Sequence, residues 1–194
     1  MDEKRARILE RSVEMFKEYG LRSISMDDIS RELSISKKTL YQYFDNKSDL
    51  LEQALYHLRD IAVKRYEEAI DGRENAIDVL LGISICVSKD MKEAKPAMKF
   101  DMQKYYPEIY KDFFDKHRDI VYNMLVKNLN RGISEGLYRE DLDIELVARL
   151  YIKKLMDIQS PDFFMSESFT FTKIFEVMFE NHIRGISRPE GVAF

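Results

Sequence analysis

"SMDDISRELSISKKTLYQYF", residues 25–44, is the stretch that decides the fold. Ser25 is suited to an N-cap, since its hydroxyl accepts a hydrogen bond from a free first-turn amide. Asp27 and Asp28 follow it at the positive end of the helix dipole, where acids belong. Met26, Ile29, Ser30 and Leu33 then recur at helical spacing, giving a short helix one face to bury. Ser34-Ile35 makes a turn, Ser36 caps the next helix, and Leu40 and Phe44 form its inward face. This helix breaks the dipole rule. Lys37 and Lys38 occupy its first turn, where each exposed cation is disfavoured by roughly 0.3–1 kcal/mol.

Upstream, Leu9, Ser12, Val13 and Phe16 make the apolar stripe of a first helix that Gly20 ends. Three short helices with a tight turn between the second and third form a helix-turn-helix unit. Downstream, "DNKSDLL" (45–51) opens a longer fourth helix with Asn46 as N-cap and Asp49 near its third position. Lys47 is again a first-turn cation set against the dipole. The periodicity predicts helices at 47–70, 74–91, 94–105, 107–135, 143–159 and 166–185, broken at Gly, Pro and Asp positions. No alternating strand pattern, internal repeat or low-complexity segment is found. The expected fold is all-α, about nine helices in total. A small helix-turn-helix domain, 1–46, precedes a larger helical domain, 47–194.

Composition bounds the function. The chain has 194 residues, 45% hydrophobic and 34% charged, enough for a real core and typical of neither a disordered nor a membrane protein. The apolar run "VLLGISICV" (79–87) is far short of the ~20 residues that span a bilayer. The charged N-terminus lacks an apolar signal core. One cysteine, Cys86, excludes an internal disulfide and suits a small buried residue in the cytoplasm. With a net charge of −4, any nucleic-acid surface must be local.

Lys38, Tyr41, Gln42 and Asp45 share the stripe opposite Leu40 and Phe44, on the helix that would enter the major groove. Lys donates to guanine, Gln pairs with adenine, and Thr39 can touch a thymine methyl. Tyr41 and Tyr43 suit phosphate oxygens, and Lys47 sits with the free amides of the fourth helix, a natural phosphate site. A merely solvated face would also tolerate lysines. Three of them against the dipole on two adjacent helix starts favour an arriving anion.

Residues 8–51, "ILERSVEMFKEYGLRSISMDDISRELSISKKTLYQYFDNKSDLL", resemble the DNA-binding domain of the TetR family of bacterial transcriptional regulators. "MDDIS", "SKKTLYQYF" and "NKSDLL" fall at the family's spacing. The resemblance implies a homodimer built by the last two helices, a palindromic double-stranded DNA operator and a C-terminal small-molecule site. By position it assigns backbone contacts to Ser25 and Met26, recognition to Lys37, Lys38, Thr39, Tyr41, Gln42 and Tyr43, and a phosphate anchor to Lys47. Ser34 departs from the family's usual turn glycine, so a non-glycine is expected near left-handed geometry. Ser30 replaces a usual alanine at similar volume. Further on, "YYPEIY" and "RGISEGLYREDLDIELVA" look like segments of TetR-type C-terminal domains, with Gly136 and Leu137 fitting a helix C-cap.

The aromatic and methionine content of the C-terminal half suits core packing and an apolar pocket alike. Met98, Met102, Phe113 and His117 are the candidate effector contacts, His117 as a ligand donor or as a core histidine satisfied by the chain. Phe171, Ile174, Phe175, Met178, Phe179 and Ile183 form a band too wide for a helix covering only its own core, and are the expected dimer face. His57, His117 and His182 form no ligand-spaced cluster, so no metal is expected. No phosphate loop, nucleophile elbow, His-Glu-x-x-His or dinucleotide fingerprint is present, which argues against an enzyme and any cofactor. The expected protein is a cytoplasmic regulator, a homodimeric repressor released by a small, largely apolar effector. The alternative is a TetR-fold DNA-binding factor that regulates a protein partner.

Overall fold

The computed structural model describes residues 2–93, 95–158 and 170–188. Nine α-helices lie among them: α1 (Glu3–Tyr19), α2 (Met26–Glu32), α3 (Lys37–Tyr43), α4 (Lys47–Ile70), α5 (Ala76–Glu93), α6 (Pro96–Tyr105), α7 (Pro107–Ser134), α8 (Ile144–Asp157) and α9 (Phe171–Ile186). The fold is all-α. Among the described residues the one β feature is an isolated antiparallel bridge, Tyr138 with Ser187. No described helix is long and apolar enough to cross a membrane.

The helix starts follow their caps. Ser25 and Asp28 close a reciprocal capping box on α2. Ser36 Oγ accepts from Thr39 N (3.0 Å), Asn46 Oδ1 from Asp49 N (3.0 Å) and Asp143 Oδ1 from Leu146 N (3.0 Å). The fifth helix begins at Ala76 rather than 74, because the Asn75 carboxamide caps it, accepting from Asp78 N at 2.9 Å. Thr170 caps α9 through Lys173 N (3.3 Å), while the expected turn at 166–169 falls outside the described residues. Gly136 (φ 73°) lies just past the end of α7, and the Leu137 amide donates back to Gly132 O at 2.9 Å.

The chain forms two compact units. The first comprises residues 1–64 and 94–117. Its core joins Leu9, Val13 and Phe16 of α1 to Ile29, Leu40 and Phe44, with Leu50 and Leu51 from α4 and Met98 and Met102 from α6. Each fully buried side chain of this kind contributes roughly 1.5–3 kcal/mol. Ser12 and Ser30 are also buried and satisfied, donating to Ile8 O (2.7 Å) and Asp27 O (3.0 Å). The second unit comprises residues 65–93 and 118–194. Its described core is centred on Leu129, Tyr138, Ala148, Tyr151 and Ile183. α4 and α7 each supply residues to both units. The expected boundary at 46/47 falls just before the start of α4.

Candidate nucleic-acid interface and effector cavity

α2 and α3 meet through the turn at Ser34, whose φ of 53° is the one positive value at a non-glycine among the described residues. The hydrogen bond from Ile35 N to Ser30 O (3.0 Å) closes that turn. Leu40 and Phe44 point into the core, which leaves Lys38, Tyr41, Gln42 and Asp45 exposed along the opposite stripe. Lys38, Tyr41 and Gln42 make no hydrogen bond or ion pair with a described residue. Three unengaged donors on one helical stripe form a surface able to read base edges. Thr39 is half-buried, its hydroxyl 2.8 Å from Ser36 Oγ.

The other predicted contacts are engaged inside the chain. Lys37 Nζ donates to Asp27 Oδ2 at 2.5 Å. Tyr43 donates its hydroxyl to Asp2 Oδ2 at 2.8 Å, which holds the Asp2 carboxyl below and the Tyr43 phenol above their ordinary values. Lys47 turns inward: its ammonium donates to Leu21 O and lies 5.8 Å from the Phe16 ring centre. Burial pushes the Lys47 ammonium below the usual lysine value, against the raising influence of Asp101 and Asp28. Asp101 completes this corner by accepting from Leu21 N at 3.1 Å. Ser25 is committed to its capping box, and the Met26 side chain is core, so any outward role of Met26 is a main-chain one. Asp2 and Asp101 carry no signal in the sequence, and Asp27 reads there only as a first-turn acid of α2. Asp101 stands 80 residues from Leu21, and no local pattern reports such a contact.

The four candidate effector residues fall together in the first unit. Met98 and Met102 are core, Phe113 packs against that core, and His117 stacks on Phe113 at 6.2 Å. A small apolar cavity lies in the second unit and measures about 20 Å³. Tyr66, Leu80, Ser84, Met124, Tyr151 and Phe175 are among its lining residues. The space holds about one water molecule, whereas small-molecule pockets usually run to ~300–1,000 Å³. Its wall carries few polar groups. Tyr66 donates to Asp90 Oδ2 (2.9 Å), and the Ser84 and Tyr151 hydroxyls lie 3.5 Å apart. Burial pushes the Tyr151 phenol up to about 12, so it stays a neutral donor at any ordinary pH.

Of the candidate dimer residues, Phe175 and Ile183 are buried in their own chain's core, and Phe171, Ile174, Met178 and Phe179 pack half-buried against it. The large apolar side chains left exposed nearby in sequence are Leu146, Leu150 and Met156 on α8 and Val177 on α9, each 39–53% exposed.

An exposed recognition stripe on the second helix of a helix-turn-helix defines a DNA-binding regulator. Residues 8–54 match the family model described as bacterial regulatory proteins, tetR family. The chain is 26% identical over 152 residues to the HTH-type transcriptional repressor KstR2 of Mycobacterium tuberculosis, covering 77% of this chain and 76% of that protein. The solved structure of the ketosteroid transcriptional regulator KstR2 covers 97% of both chains at 23% identity, with a TM-score of 0.62. The fatty acid degradation regulator FadR from Bacillus halodurans has the same fold, with a TM-score of 0.75 at 16% identity over 95% of this chain and 97% of that one. The chain thus carries the DNA-binding domain of the TetR family of bacterial transcriptional regulators at residues 8–54, and over about three quarters of its length it is similar to a repressor with that kind of domain.

Proposed function

We propose that the chain is a cytoplasmic, homodimeric repressor that holds a palindromic operator and is released from it by a small, largely apolar effector. The observation that carries the reading is the exposed stripe Lys38, Tyr41 and Gln42 on α3, held in place by buried Leu40 and Phe44. Ser25 and Met26 at the start of α2 contribute main-chain contacts. Thr39, Tyr43 and Lys37 add contacts to the sugar-phosphate backbone and base edges, and Lys47 reaches a phosphate only by releasing Leu21 O. The name of the KstR2 relative supports repression as the sign of control. The functional division then runs at 46/47.

Pairing of α8 and α9 between two chains would cover Leu146, Leu150 and Val177 together with the half-buried Ile174 and Met178. A stable interface of this kind buries at least ~1,200 Å². Two-fold symmetry then sets the half-sites one or more helical turns (~34 Å) apart. The effector belongs in the second-unit cavity, whose wall is apolar apart from the Tyr66, Ser84 and Tyr151 hydroxyls. That cavity must widen at least about fifteenfold to take a ligand of ordinary size (~300 Å³ or more), so ligand entry requires its walls to part. Tyr66 of α4 is one of those walls, and Lys47 on the same helix grips Leu21 beside the helix-turn-helix. Displacement along α4 therefore reaches the DNA contacts, and a preference of ~1–3 kcal/mol for the displaced state changes operator affinity 5–150-fold.

The test is selection of bound duplexes from a random-sequence pool. A single two-fold symmetric motif is the expected result, and a pool that never enriches would overturn the reading. Leu150→Asp with Val177→Asp, both exposed in the monomer, should yield a folded monomer without operator affinity.

A further inference from the structure

The donors on the DNA face fall into two groups. Lys38, Tyr41 and Gln42 hold no described partner. Lys37 and Tyr43 are each held by a carboxylate of the same chain, Lys37 by Asp27 at 2.5 Å and Tyr43 by Asp2 at 2.8 Å. The Asp27 carboxylate has no other described hydrogen-bond donor. Nor does α2 need it for a cap, since Ser25 and Asp28 form the capping box between themselves. A carboxylate and a phosphodiester offer an ammonium the same thing: anionic oxygens at charge-assisted hydrogen-bond distance. A phosphate arriving at Lys37 therefore meets an occupied site.

We propose that Asp27 is a built-in competitor for the DNA backbone. It occupies Lys37 in the free protein and is displaced from it by a phosphate on binding. It thereby sets how tightly, and with what salt dependence, this regulator holds any duplex. The inference rests on the DNA-binding reading of the face. The pair is exposed on both sides, at 62% for Lys37 and 47% for Asp27, so an incoming phosphate reaches it without unfolding anything. With Asp27 uncharged, binding would neutralise about one more phosphate net. The slope of log K against log salt then steepens by about 0.9, which amounts to about fivefold tighter binding at 0.15 M salt relative to 1 M.

The experiment is fluorescence anisotropy of a labelled random-sequence 20-base-pair duplex titrated with the full chain at several salt concentrations between about 50 and 200 mM. Asp27→Asn is expected to bind about fivefold tighter near 0.15 M with the steeper slope, and Asp27→Ser to do the same. In a Lys37→Ala background the same Asp27→Asn change should alter affinity less than about twofold, because the competitor has lost its target. Glu145→Gln on α8 changes the net charge equally and should leave affinity and slope as they are. An Asp27→Asn chain that binds no tighter than wild type overturns the proposal. So does a gain that persists undiminished without Lys37, or one that Glu145→Gln reproduces. A wild-type chain that binds no duplex at the lowest salt would remove the DNA-binding reading itself and this inference with it. Binding by wild type with no effect of Asp27→Asn removes this inference alone.

Discussion

Gly132→Ala is the substitution with the largest structural consequence. Gly132 lies in the last turn of α7 against Tyr138, which is fully buried. A Cβ at residue 132 would stand 2.0 Å from Tyr138 Cδ2 and 2.2 Å from Cε2. Ordinary carbon–carbon contact needs about 3.5–4.0 Å, so the ring must retreat by more than 1 Å. It has nowhere to go in a core at crystal-like density. The ring also carries a buried polar chain: Tyr138 OH donates to Asn128 Oδ1 (3.1 Å), and Asn128 Nδ2 donates to Ala76 O at the start of α5 (2.7 Å). Overpacking costs ~1–3 kcal/mol, and a buried amide left unpaired costs a further ~1–3. The expected loss is about 2–6 kcal/mol, a fall in Tm of roughly 5–20 °C for a chain of this length. Gly185→Ala is the matched control, because nothing lies within 4 Å of its added Cβ on α9. Helix propensity alone should make it stabilising by up to ~1 kcal/mol. Thermal denaturation of both variants, with Tyr138→Leu and the Gly132→Ala/Tyr138→Leu double variant, isolates the clash. A Gly132→Ala chain melting within about 2 °C of wild type would refute the packing argument.

Four other outcomes are expected. Ser34→Gly removes a left-handed non-glycine (φ 53°) and should raise stability by ~0.5–1 kcal/mol, read as a Tm increase of about 2–4 °C. Lys38→Ala and Gln42→Ala should each lose ~1–3 kcal/mol of discrimination at particular base pairs of the selected operator, measured on single-base variants of that site. Burial, aided by Lys154, depresses His182 to about 4 against 6.5 unfolded, so the unfolded chain binds more protons between those values. Stability is therefore full above pH 6.5 and falls by up to roughly 3 kcal/mol toward pH 4, and His182→Phe should flatten that part of a urea-denaturation pH series. Val87→Leu adds about one methylene beside the 20 Å³ cavity and should stabilise by up to ~0.8 kcal/mol in the same melts.

What was legible in the sequence is what local physics writes there. The α2 and α3 boundaries and the Ser25, Ser36, Asn46 and Asp143 caps depend on neighbours within four residues, whereas the left-handed Ser34 was expected only through the family resemblance. The recognition stripe is readable for the same reason, since helical period alone separates Lys38 and Gln42 from Leu40. The second-unit cavity is not readable this way. Tyr66, Ser84, Met124, Tyr151 and Phe175 come from five different helices, and each taken singly is an ordinary core residue. Met98 and Met102 show the same ambiguity from the other side: methionines that suit a pocket by composition lie within the core instead. Lys47 was legible as a cation misplaced for the dipole, but its grip on Leu21 O is a tertiary fact.

The small size of the cavity bears on the proposed effector site through the cost of empty apolar space. Keeping an empty apolar space costs ~24 cal/mol per Å³, so a vacant pocket of ~300 Å³ would cost about 7 kcal/mol. That is comparable to the ~5–15 kcal/mol that holds an entire domain folded. On the proposed reading, the free chain keeps this pocket closed at about 20 Å³. Ligand binding and pocket opening would then be one event. Such a ligand binds the open arrangement and cannot enter the closed one, which is the differential affinity that any switch requires. Under that proposal the coupling would run through the long helices that wall the pocket. α4 runs from the Lys47 grip on Leu21 to Tyr66 at the cavity without a break, and α7 carries both Phe113 of the first core and Met124 of the cavity wall. A wall built from short loops would open and leave the DNA contacts where they were.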